Sequence, residues 1–151
     1  RLTVTQAAAS DATDFTAQFD PDFAKELQKQ GIIADAEHIT PEDMEKIAAI
    51  TRLDVGGSYD NPGTLTSLRG IEYFEALEVL FCLYNQLTSL DVSRNTALTQ
   101  LYCSYNPGDG VSSFPITAWF DNDTKPDNLE IDREQWTYDG KSITIDFRKA
   151  E

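Results

Sequence analysis

Apolar and polar positions follow a long period in the middle of the chain, where LEVLFCLYNQLTSLDVSRNTA, beginning at Leu77, is followed by a second start of the same phrase, LTQLYCSYN. Four landmarks return after an interval of 21 residues: Leu77 and Leu98, Leu80 and Leu101, Cys82 and Cys103, Asn85 and Asn106. Self-similarity at a fixed period marks a repeat architecture, in which one copy cannot bury its apolar face until a neighbour stacks on it. Around Leu80 and Cys82, apolar residues alternate with variable ones, the period of a half-buried strand. The pattern predicts strands that turn Leu80, Cys82, Leu101 and Cys103 inward. Val79, Phe81 and Leu83 then face outward, beside Gln100, Tyr102 and Ser104 of the next copy, with Tyr84 and Tyr105 at the strand ends. Asn85 and Asn106 follow, where an amide that both donates and accepts can satisfy backbone groups as the chain turns. Leu87, Leu90 and Val92, before Asn95, bring a second apolar set back under the same core, so one copy is one turn of a solenoid.

Outside the repeat, the pattern predicts caps. Residues 1–17 are rich in Ala, Thr, Ser and Gln without apolar periodicity and read as a linker or flexible tail. Asp20 as N-cap, Pro21 at the first helical position, an apolar face of Phe23, Ala24 and Leu27, and Gly31 as a stop predict a first helix. Thr40, Pro41, Glu42 and Asp43, ahead of Met44, Ile47, Ala48 and Ile50, predict a second. The two helices would cover the apolar end that the first coil exposes. Ile50, Leu53 and Val55 are the expected first strand, and Leu65, Leu68 and Ile71 its return arm, with GGSYDNPG as an inserted loop and Tyr73 and Phe74 packed over the coil. After Asn106 the repeat stops at PGDG. Phe114, Ile116, Trp119 and Phe120 are expected to cover the last coil, Leu129 and Ile131 to form a short strand, and EQWTYDGKSITIDF to form a hairpin. That hairpin turns at Asp139 and Gly140 and buries Trp136, Tyr138, Ile143, Ile145 and Phe147.

The spacing of Leu, Leu, Cys and Asn, continued into LDVSRNTA, resembles the short leucine-rich repeats of Bacteroidetes surface proteins, which read LxxLxCxxNxLTSLDVSxNTA. The resemblance covers roughly 50–106, and the flanks are similar to the caps of such proteins. It implies an α+β fold: a short leucine-rich-repeat solenoid with parallel strands, an N-terminal helical cap (18–49), repeats (50–106) and a C-terminal β-hairpin cap (107–151), all one domain over 18–151. It also implies an exported protein, at the cell surface or in the periplasm, and ligand binding through the strand face.

Composition narrows the partners. A length of 151 residues suits one domain, and a formal net charge of -14 argues against nucleic acid and anionic membranes and favours neutral or basic partners. No run approaches the roughly 18 apolar residues of a membrane span. The start at Arg1 is read as a mature or trimmed end, with any address or lipid anchor lying upstream.

Candidate chemistry is sparse. Cys82 and Cys103 share a column of adjacent coils, where strands lie about 4.8 Å apart and side chains point alike; the expectation is two buried free thiols, with a disulfide the lesser alternative. Two cysteines and one histidine, His38, are too few for a zinc site. Asp121 to Asp132 spaces its carboxylates like a calcium loop, but Lys125 sits at the fifth position and Pro126 replaces the glycine needed at the sixth. ADAEHITPED lacks a glycine and is interrupted by Ala36 and His38, which reads as an exposed loop residue. No metal, cofactor or catalytic residue is assigned, and no nucleophile elbow, phosphate loop or HExxH motif is present. The expected function is therefore non-catalytic: binding of a protein, peptide or glycan through Val79, Phe81, Leu83, Tyr84, Gln100, Tyr102, Ser104 and Tyr105. The alternative is a structural spacer that self-associates through the same aromatic face.

Overall fold

Two capped helices begin the fold in the computed structural model, which describes residues 14–119 and 125–150. Asp20 accepts the backbone N–H groups of Asp22 and Phe23 at 3.1 Å each, and Pro21 opens α1 (Pro21–Lys29). These bonds satisfy N–H groups that a helix start leaves without partners. Thr40 and Asp43 exchange side-chain-to-backbone bonds at 3.2 and 3.0 Å in a full capping box before α2 (Pro41–Ala49). Asp14 to Ala17, within the stretch read as a linker, belong to this cap. Phe15 donates its N–H to the Ile39 carbonyl at 2.9 Å, and the Arg69 guanidinium holds the Ala17 and Phe19 carbonyls. The rest of the expected linker lies outside the described residues.

The chain then winds as a parallel-strand β-solenoid of about three turns. Its first sheet is a parallel ladder of β1 (Arg52–Asp54), β2 (Val79–Phe81), β4 (Gln100–Tyr102) and β6 (Glu130–Ile131). Leu53, Leu80, Leu101 and Ile131 stand in register, all but Ile131 fully buried. The second sheet holds the return arms: β3 (Leu90–Asp91), β5 (Ser113–Ala118) and β8 (Lys141–Lys149) are parallel, and β7 (Gln135–Tyr138) pairs antiparallel with β8. The two sheets enclose one core that runs from Phe23 and Leu27 of α1 through Phe74, Leu80 and Leu101 to Phe114 and Trp136. None of the helices among the described residues is long and apolar enough to cross a membrane.

The asparagines join coil to coil. Asn85 donates to the Val55 and Cys82 carbonyls and accepts the Leu65 N–H. Asn106 accepts the N–H groups of Asn85 and Leu87 and donates to the Cys82 and Cys103 carbonyls. Each amide therefore finishes hydrogen bonds of two neighbouring coils, the role its place after the strand predicts. Gly63 must be a glycine here, since a Cβ on it would lie 2.1 Å from Asn85 Oδ1.

The winding departs from the sequence pattern in two places. Ile50 is the C-cap of α2, so the first strand begins later, at Arg52. Secondly, the repeat stops at Asn106 but the solenoid does not: β5, with Phe114, Ile116 and Ala118 buried in strict alternation, adds to β3, and β6 adds to β4. The C-terminal region therefore continues the coil before it closes. Its hairpin turns at Asp139 and Gly140, both at positive φ (51° and 75°), as a two-residue turn of matching twist requires. Phe120, expected to cover the last coil, lies outside the described residues, as do Asp121 and Asp123 of the acidic loop.

Candidate functional site: the outward strand face

Strand alternation turns one side of each ladder residue outward, and stacking then decides how much of it reaches solvent. Val79, Phe81, Leu83 and Tyr84 of one coil and Gln100, Tyr102 and Tyr105 of the next are all half-buried on this face. The rings account for much of that. Phe81 and Tyr102 stack at 4.5 Å between centroids and 18°, Tyr84 and Tyr105 at 4.6 Å and 12°, so the in-register ladder sets two aromatic columns along the solenoid axis. The Tyr102 hydroxyl donates to Gln100 Oε1 at 3.3 Å.

Both columns carry an arginine. The Arg52 guanidinium lies 4.5 Å from the Phe81 centroid, and that of Arg133 lies 5.8 Å from the Tyr105 centroid. Such contacts draw on the negative face of the ring. Neither arginine was among the residues expected at the site. Arg52 was open to discovery, because it occupies in β1 the column of Val79 and Gln100. Arg133 was not, because it lies beyond the last repeat.

One expected site residue does not belong to the open face. Ser104 is only 2% exposed. Its hydroxyl donates to one oxygen of Asp132, whose other oxygen accepts the Cys103 N–H at 3.1 Å. In the preceding coil that place is filled by a strand, with the Cys82 N–H on the Tyr102 carbonyl. The Asp132 carboxylate thus takes over the ladder where β6 ends, and it covers Ser104 as it does so.

Tyr84 and Tyr105 hold φ at 55° and 61°. Left-handed backbone costs a side-chain-bearing residue about 1 to 2 kcal/mol and is rarer still for a bulky one. The same strain recurs in both coils, next to the asparagines that fix the turn.

Among the described residues, the groups with perturbed titration fall in three places. Burial raises the Cys82 and Cys103 thiols well above the usual range, and both are free. Asp14, in the N-terminal segment, is held down to about 2 by the Thr16 hydroxyl, the Thr16 N–H and His38. Asp109 is lowered by the N–H groups of Ser112, Ser113 and Val111 in its own loop. The core thiols should therefore resist a thiol reagent at pH 8 in the folded protein and react in denaturant, because the thiolate is the nucleophile. Rapid labelling of the native chain would contradict their placement. His38 is exposed, 3.1 Å from Asp14, and among the described residues no group of three or more His, Cys, Asp or Glu side chains is arranged to hold a metal.

These features define a class: a capped parallel β-solenoid that presents two stacked aromatic columns on one ladder face. No protein-family model matches the chain, and no curated protein or solved structure matches it either.

Proposed function

We propose that the chain is a short leucine-rich-repeat module of the Bacteroidetes surface type, exported to the cell surface or periplasm, which binds a protein or peptide without catalysis. The observation that supports this reading is the pair of columns, Phe81 on Tyr102 and Tyr84 on Tyr105, set on in-register parallel strands. Rigid aromatic anchors on an ordered scaffold are what interface hot spots are made of. The strain at Tyr84 and Tyr105 supports it too, since glycine or asparagine would occupy those backbone positions at lower cost.

A glycan is the weaker form of the reading. A sugar stacks its C–H groups on an open ring face, and here Phe81 lies between Tyr102 and Arg52, and Tyr105 between Tyr84 and Arg133. The ring edges and the outer side of Tyr102 remain, the latter bordered by carboxylates, a setting that suits the side chains of a polypeptide.

The test replaces Phe81 and Tyr102 together with serine and compares capture of partners from an envelope extract with the parent chain. Loss of a partner with an unchanged fold by circular dichroism supports the reading. An unchanged partner set sinks it, and a change in oligomer size on gel filtration assigns the face to self-association instead.

A further inference from the structure

Among the described residues, a cation stacks on the Phe81–Tyr102 column at its β1 end only. On its β1 side the Arg52 guanidinium covers Phe81. On its β6 side Tyr102 borders a cleft of about 420 Å³ whose other walls are Lys125, Glu130, Ile131, Asp132 and Glu134. The lysine in that cleft is turned to the backbone: its Nζ donates to the Leu129 carbonyl at 2.6 Å and to that of Pro126 at 3.4 Å. Asp132 is occupied with Ser104 and the Cys103 N–H. Among the described residues, the carboxylates of Glu130 and Glu134 form no ion pair.

We propose that this end of the ladder seats a guanidinium group, that of an arginine in an extended segment of a protein partner, on Tyr102 with Glu130 and Glu134 as its counter-charges. The inference rests on the binding reading above and names the chemistry of the partner. Arg52 is the internal precedent, showing which group the end of this column accepts. Arginine fits better than lysine because its planar, weakly hydrated cation stacks on a ring while its N–H fork reaches carboxylates. The whole chain is complementary to such a partner, with 26 acidic against 12 basic residues, and this charge speeds encounter as well as orienting it.

The experiment is an NMR titration of the full chain with a short glycine–serine peptide carrying two arginines, alongside its lysine and citrulline counterparts. The arginine peptide is expected to move the Tyr102 ring and Glu130 side-chain signals, with citrulline binding weaker by about tenfold or more. Tyr102→Leu and Glu130→Gln should each lower affinity severalfold; Glu130 is exposed, so its variant leaves the fold intact. Equal response to arginine and citrulline, no response, or shifts scattered over the acidic surface and indifferent to Tyr102→Leu overturns the proposal. If the arginine peptide fails while the Phe81 and Tyr102 serine variant still loses its envelope partner, only this inference falls. If that variant keeps its partners, the broader reading falls.

Discussion

Asn106→Leu is expected to remove about 4 kcal/mol or more of folding stability. Asn106 has no solvent exposure, and its amide serves the N–H groups of Asn85 and Leu87 at 3.2 and 3.0 Å and the carbonyls of Cys82 and Cys103 at 3.2 and 2.8 Å, with that of Ser104 farther off at 3.5 Å. Leucine fills the space but satisfies none of them; the Cys82 carbonyl keeps the Asn85 amide, and each buried polar group left without a partner costs about 1 to 3 kcal/mol. A domain of this size has a total of about 5 to 15 kcal/mol to lose. Urea denaturation followed by circular dichroism measures the loss. Asn95→Leu is the built-in comparison, because Asn95 donates to only two carbonyls, of Ile71 and Phe74, and its own oxygen has no partner. A variant at Asn106 that unfolds within about 1 kcal/mol of the parent would show that the amide is not what joins the coils.

Leu101→Ala is expected to cost about 2 to 5 kcal/mol, the range for truncating a buried leucine where the surroundings cannot collapse. Leu101 is fully buried in the middle of the ladder, with Leu80 on one side and Ile131 on the other. In-register parallel strands hold those neighbours at a fixed spacing, so they cannot close the gap. Gln100→Ala, one residue away on the outward face, should change stability by no more than about 0.5 kcal/mol. Thermal melts of the two variants check the alternation directly: equal shifts, or an unmoved midpoint for Leu101→Ala, would contradict the inward placement of the leucine.

What was legible in the sequence is what the 21-residue period and local chemistry encode. The period places Leu80 and Leu101, the two cysteines and the two asparagines, and the alternation within it places the outward residues. Capping residues mark both helices, and Asp139 with Gly140 marks the hairpin, since each is a local signal read within a few residues. What was not legible depends on partners far away in the chain. Ser104 matches the outward pattern, and only Asp132, 28 residues on, covers it. β5 lies beyond the last landmark of the repeat, and its partners, β3 and β8, are set by residues far along the chain in both directions. The docking of Asp14 to Ala17 turns on Ile39 and Arg69, which no local pattern links to the N-terminus. Alternation tells which way a side chain points, and not what lies above it.

The asparagine joint has a consequence for how such a chain can change length. Asn106 finishes bonds of its own coil and of the coil before it, so the connection is repeated in full by every added copy. Tandem duplication of one 21-residue unit brings a further leucine rung, thiol, amide and tyrosine pair, and leaves the helices at one end and the hairpin at the other untouched. The extent of the aromatic face is thus a variable that tandem duplication can adjust without a new kind of junction.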